Sequence, residues 1–281
     1  MAIRSIIVNL DNGKHTRARV AAAAALAIQH EAHLIGLAST GWMITPADID
    51  GSLGLGAYQA AAMRDLKELA QTCVDDFRQQ VEHLGVLSHE ERIEVGYPAD
   101  AMPRAARYCD LAVVTQADPD DDYVLRTPQL AQEVLLQSGR PLLVLPYAGE
   151  WTVAPAARVL VGWNASREAA RAMQDAMPFL CKAASVEVVV FETPEDVDMD
   201  HGDLPGADIG LWLARHGVTV DVKYVATGVA AGEALLSHAA DMGADLIVAG
   251  GYGHSRLRET VLGGVTRTLL RSSPVPVLMS H

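Results

Sequence analysis

The sequence predicts an α/β protein of two tandem domains, each a five-stranded parallel sheet with helices on both faces. Three observations carry this prediction. Short apolar runs alternate with helix-periodic segments along the chain, which is the pattern of βαβ units. The alternation runs through twice in the same order. Landmarks also recur at a fixed offset: Asp110-Leu-Ala-Val-Val aligns with Asp245-Leu-Ile-Val-Ala, and Arg140-Pro-Leu-Leu-Val-Leu with Val275-Pro-Val-Leu-Met-Ser, 135 residues apart in both cases. A length of 281 residues is that of about two domains. The linker falls within 149–157, around Pro155, giving domains at 1–148 and 155–281 that should pack against each other.

In the first half, Ile3 to Leu10 reads as a strand ended by Asp11-Asn12-Gly13. A helix capped near Thr16 runs to about His30, and its Ala21 to Ala25 run has high helix propensity. His33 to Ala38 is the second strand. Thr40 to Gly56 is glycine-rich and long for a connection of this kind. A long helix follows, with Leu66, Leu69, Cys73, Phe77, Val81 and Leu84 expected on one face. Arg92 to Val95 is read as a strand, Ala99 to Tyr108 as a helix and Leu111 to Thr115 as a strand. Asp118-Pro-Asp-Asp-Asp122 reads as a solvated acidic loop without the ligand spacing of an EF-hand. Gln129 to Gln137 is a helix and Pro141 to Pro146 the fifth strand.

The second half repeats this order. Arg158 to Trp163 is a strand ended by Asn164-Ala165-Ser166, and Arg167 to Cys181 a helix. Val186 to Glu192 and Val218 to Ala226 are strands, with helices at Ala207 to His216 and Gly232 to Met242. Leu246 to Ala249 is a buried strand, Leu257 to Arg271 contains a helix interrupted or delayed by Gly263 and Gly264, and Val275 to Met279 is the last strand.

Composition narrows the function. Half of the residues are hydrophobic, which a globular chain needs and a disordered one lacks. A net charge of −13 disfavours binding to nucleic-acid phosphates. No run of 18 apolar residues occurs, so no membrane span is expected, and the first residues lack a signal-peptide pattern. Cys73, Cys109 and Cys181 are scattered, without zinc spacing, and read as small buried hydrophobes in a reducing compartment. The expected location is the cytoplasm. A dehydrogenase needs Gly-x-Gly-x-x-Gly after its first strand, and neither Asp11-Asn-Gly nor Asn164-Ala-Ser supplies it. A Walker A lysine motif and a Gly-x-Ser-x-Gly elbow are both missing. His15, or His254 beside Ser255, makes a poor catalytic pair, since adjacent residues rarely point at one centre. No base can be nominated, so catalysis beyond slow ATP hydrolysis is not expected.

One stretch carries a ligand-binding signal. After Leu246 to Ala249 come Gly250, Gly251 and Gly253, then Gly263 and Gly264. A strand feeding a glycine loop and then a helix brings backbone N–H groups and a helix N-terminus to an anion. The bland alternative is a tight turn with close helix-to-sheet packing. The spacing Gly250-x2-Gly253-x9-Gly263 resembles the G-x2-G-x9-G-(S/T) signature of the universal stress protein family. Gly264 departs from it, standing where a hydroxyl is usual, and Thr266 two residues on can supply one.

With the repeat, the resemblance extends to a tandem universal stress protein. It implies strand order 3-2-1-4-5 in each domain, and a dimer-like pairing of the last strands, here Pro141–Pro146 with Val275–Met279, as an internal pseudo-dimer. Further homodimerisation through other surfaces is left open. It also implies a regulatory stress protein that holds ATP, with Mg, or a related nucleotide. Gly250, Gly253 and Gly263, then Gly264, Val265 and Thr266, would surround the phosphates, with Asn164 near the base or ribose. Asn164 replaces the aspartate usual there, whereas Asp11 keeps it in the first half. At the aligned first-half positions stand Thr115, Asp118, Pro128 and Gln129, so that domain is degenerate and its acidic run would repel a triphosphate. The alternative is a stress protein without nucleotide binding, acting through protein contacts or another small ligand.

Overall fold

The computed structural model describes residues 2–41, 55–121, 129–149, 157–192, 206–252 and 264–281. The first half contains β1 (Ser5–Leu10), α1 (Thr16–His30), β2 (His33–Ser39), α2 (Leu55–Leu84) and β3 (His89–Glu94). Then come α3 (Pro98–Ala106), β4 (Leu111–Thr115), α4 (Leu130–Gln137) and β5 (Leu142–Leu145). The second half contains β6 (Arg158–Gly162), α5 (Arg167–Leu180), β7 (Ser185–Glu192), α6 (Ala207–Arg215) and β8 (Val220–Ala226). It ends with α7 (Ala231–Met242), β9 (Leu246–Gly250), α8 (Gly264–Ser272) and β10 (Val277–Ser280).

Each half has the expected 3-2-1-4-5 order, and the halves join into one ten-stranded sheet, β3-β2-β1-β4-β5-β10-β9-β6-β7-β8. All pairings are parallel except the seam, where β5 and β10 run antiparallel with Leu143 opposite Leu278. These two strands are apolar and wholly buried, so their mutual pairing removes two edges that would otherwise invite aggregation. The free edges are β3 and β8, both partly exposed and charged. That explains the displaced β3: it is His89–Glu94, not Arg92 to Val95, because an edge strand reading His-Glu-Glu-Arg lacks the apolar run by which strands are recognised.

Alternation along the strands supplies two cores. Ile6, Val8 and Leu10 of β1 belong to one core, which takes in the buried faces of α1, α2, α5 and α6 along the sheet, while Ile7 belongs to the other, with those of α3, α4, α7 and α8. The buried stripe of α2 is Ala70, Val74, Phe77 and Val81, whereas Leu69 and Leu84 are exposed. The spacing 70, 74, 77, 81 keeps one helical face against the sheet; of the expected stripe Phe77 and Val81 stand on it and Leu66 and Cys73 are half-buried beside it. Only Cys109 is fully buried, Cys73 is half-buried and Cys181 is exposed, so the cysteines do not share one environment. Burial pushes the Cys73 and Cys109 thiols up to about 11. The expected loop over 40–56 and the start of the helix from Leu257 fall largely outside the described residues.

The halves also lock through side chains. Gln116, 2% exposed at the end of β4, donates from its amide nitrogen to the carbonyls of Leu269 (3.0 Å) and Ser273 (3.1 Å), at the end of α8 in the other half. The Ser273 carbonyl thereby gains a partner across the seam, and the Leu269 carbonyl, which also accepts the Ser273 N–H at 3.3 Å, gains a second.

Candidate functional site

Ligands of open α/β sheets sit beyond the strand carboxyl ends where the strand order reverses. Here that means two crevices, one past β6 and β9 and one past β1 and β4.

At the C-terminal crevice, β6 and β9 are parallel neighbours with Gly162 opposite Ala249, so Asn164 and Gly250 leave adjacent strand ends. Asn164 forms a tight turn with Ala165 in the left-handed region (φ 55): its Oδ1 accepts the Ser166 N–H (3.2 Å) and hydroxyl (2.7 Å). Ser166 in turn caps α5 by accepting the Ala169 N–H at 3.1 Å. Glu168, in the first turn of that helix, is 4% exposed and pairs with Arg167. Burial is the largest single influence and works against its charge, but the Arg167 hydrogen bond and charge together with a backbone hydrogen bond outweigh it and hold the carboxyl below the usual range.

The glycines divide into two kinds. A Cβ on Gly250 would lie 2.5 Å from Ala169 N and 2.6 Å from the Glu168 carbonyl carbon, so this glycine is required by the backbone of α5. A Cβ on Gly251 would meet Leu135 of α4 at 2.8 Å, across the seam between the halves. At Gly264, the start of α8, a Cβ would have no atom of the described residues within 4 Å. Between them Tyr252 sits at φ 64, and its N–H donates to the buried Thr266 hydroxyl at 3.1 Å. Thr266 therefore braces the loop stem. Val265 beside it is half-buried. Burial, with Glu133 nearby, pushes the Tyr252 phenol up to about 12, and its oxygen has no hydrogen-bond partner among the described residues. Gly253 and Gly263, with His254 and Ser255, lie outside the described residues.

The N-terminal crevice is a cavity of about 640 Å³. Its floor is an ion-pair network that sequence reading missed. Arg19, 4% exposed, donates from Nε to the Asn9 carbonyl (2.8 Å), from Nη1 to Thr115 Oγ1 (2.9 Å) and from Nη2 to Asp11 (2.6 Å). Asp11 also accepts from Asn9 Nδ2 (2.7 Å), the Gly13 N–H (2.9 Å) and the Thr16 hydroxyl. The signal for Arg19 was present, because positions 19, 22, 23 and 26 form the buried stripe of α1 and only Arg19 is charged there.

The acidic run is a correction. Asp118 and Asp121 are buried, 3% and 8% exposed, instead of solvated. Lys14 Nζ (2.7 Å), His15 Nε2 (2.6 Å) and the Asp120 N–H (2.9 Å) surround Asp118, and the Lys14 N–H donates to Asp121 at 3.1 Å. Burial works to raise the pKa of Asp118, but the hydrogen bonds from His15 and Lys14 outweigh it and hold it at about 2, against an ordinary 3.8. A carboxyl depressed in the folded state stabilises the fold above its unfolded pKa, and that contribution disappears as pH falls through the folded value. Thermal midpoints should therefore fall between about pH 3.8 and about pH 2 more steeply in wild type than in Asp118→Asn. Parallel curves would show that the cluster adds nothing to stability. No cluster of metal-ligating residues occurs among the described residues, and no described helix is long and apolar enough to cross a membrane.

Residues 156–281 match the universal stress protein family. A universal stress protein from Archaeoglobus fulgidus DSM 4304 is similar over 98% of this chain and 95% of its own, at 17% identity and a TM-score of 0.76. A functionally unknown protein from Pseudomonas aeruginosa PAO1 is similar over 99% of this chain and 92% of its own, at 17% identity and a TM-score of 0.63. A universal stress protein solved in complex with cAMP corresponds to 51% of this chain and 97% of its own, at 21% identity and a TM-score of 0.34. Comparison by sequence with curated proteins gives no match.

Proposed function

Residues 156–281 are a universal stress protein domain and the whole chain carries that fold in tandem, and from this premise we propose a stress-response regulatory protein that holds an adenine nucleotide in its C-terminal domain. The ligand is ATP, with Mg, or a related nucleotide. The observation that supports this most is that no described residue crowds Gly264, near the strand ends that bring Asn164 next to Gly250. A Cβ-free position opening a helix leaves backbone N–H groups accessible to phosphate. Asn164 would meet the base or ribose, and Gly253, Gly263, Gly264, Val265 and Thr266 would surround the phosphates, which add charge that backbone N–H groups can neutralise. The equivalent first-domain crevice presents Asp118 and Asp121, so the reading assigns nucleotide to the second domain alone.

Calorimetric titration with ATP–Mg tests this, together with mass spectrometry of the denatured protein for a co-purified nucleotide. Gly253→Asp puts the first domain's residue at the phosphate loop. Repulsion there of about 1–4 kcal/mol should weaken binding roughly tenfold to several hundredfold. Equal affinity in Gly253→Asp and wild type would sink the proposal.

A second reading, a stress protein whose glycine loop is only a turn, is favoured by one observation. Gly250 and Gly251 are both accounted for by packing, against α5 and Leu135. The same titration decides between the two.

A further inference from the structure

We propose that the N-terminal crevice is a second ligand site, for a free amino acid with an apolar side chain. The cavity measures about 640 Å³, within the roughly 300–1,000 Å³ typical of small-molecule sites. Its two ends differ in chemistry. At the mouth stand Arg267 and Arg271, four residues apart on α8, both exposed and without an ion pair among the described residues. Two guanidinium groups on one helix face, lacking a carboxylate, are suited to bind one from a ligand.

The floor offers acceptors. Asn9 lines it and is 1% exposed. Its Nδ2 donates to Asp11 Oδ2 at 2.7 Å, which settles which end of the amide is nitrogen, since an oxygen there would face a carboxylate. Oδ1 is then an acceptor, and it has no donor among the described residues. The Asp118 carboxylate, held ionised by Lys14 and His15, lines the same cavity. A buried acceptor without a donor is costly, and an ammonium or other N–H group from a ligand would answer it. Leu130, Leu270, Pro119 and the Tyr147 ring supply apolar wall between the two ends.

A ligand that satisfies both ends carries an ammonium group, a carboxylate and a hydrocarbon body. A simple anion would leave the floor unanswered, and a triphosphate would meet Asp118 and Asp121. Because α8 comes from the second half, the site needs both domains, and a single domain of this fold would lack its cationic mouth.

Titration calorimetry on the full chain tests the proposal with L-leucine, L-phenylalanine and L-tryptophan. Phenylacetate, which lacks the ammonium group, and 2-phenylethylamine, which lacks the carboxylate, are the truncated probes. At least one amino acid should bind with a stoichiometry near one, and each truncated probe about tenfold or more weaker than L-phenylalanine if that is the ligand bound. Arg267→Ala with Arg271→Ala, both exposed and so tolerable to the fold, should weaken the bound amino acid about tenfold and leave 2-phenylethylamine unchanged. The idea is overturned if none of the three amino acids binds up to millimolar concentration, or if the double variant binds as wild type does. It is equally overturned if phenylacetate matches L-phenylalanine, which would mark a plain anion site, or if AMP displaces the amino acid and loses its own binding in the double variant.

Discussion

Replacing Arg19 with Ala is expected to destabilise the fold by about 3–5 kcal/mol, the cost of removing one partner of a buried ion pair. The side chains of Arg19 and Asp11 are only 4% and 7% exposed, and the lost guanidinium also serves the Asn9 carbonyl and Thr115. The Asp11 carboxylate would be left buried without a counter-charge. Urea unfolding measures the loss. Adding Asp11→Asn to an Arg19→Met chain should recover part of it, since the stranded charge disappears while an amide can still accept from the Gly13 N–H. A loss under about 1 kcal/mol for Arg19→Ala would mean that water reaches the pair and screens it as it does a surface bridge.

Gly250→Ala should be nearly as damaging, while Gly264→Ala should not be. At 250 the added methyl would meet peptide atoms of α5 at 2.5 and 2.6 Å, and backbone cannot rotate away as a side-chain tip can. Relief requires α5 and β9 to separate, at or above the upper end of the ~1–3 kcal/mol usual for overpacking. At 264 no atom of the described residues lies within 4 Å and the residue opens a helix, so alanine should leave stability unchanged or raise it by up to about 1 kcal/mol. The contrast separates packing from ligand contact. Loss of ATP binding in Gly264→Ala at full stability would tie that position to the nucleotide. A stable Gly250→Ala chain would remove the packing explanation for that glycine.

Residues near in sequence were enough for much of this. The alternation of apolar runs and helical stripes specified the kind and order of the elements, and the 135-residue offset exposed the repeat. The bare apolar edges at Pro141–Pro146 and Val275–Met279 implied that they must be covered, and they cover each other. Other elements were legible only in outline: the highly charged β3 was displaced, and of the α2 stripe Phe77 and Val81 are buried while Leu69 and Leu84 are exposed.

What tertiary structure alone decided is which residues meet. Lys14 and His15 partner Asp118 from more than a hundred residues away, so that Asp118 and Asp121 of an acidic run that reads as solvated are buried, while Asp120 stays exposed. Gly250 and Gly251, which in sequence belong to one phosphate-like loop, answer to two different neighbours, α5 and the other half's Leu135. Arg267 and Arg271 carry no local mark, yet the antiparallel seam sets α8 over the mouth of the first domain's crevice. The physical reason is range. Periodicity and propensity are set by residues a few positions apart, whereas a side chain's partner depends on strand order and on where the helices settle on the sheet, and no local pattern encodes that.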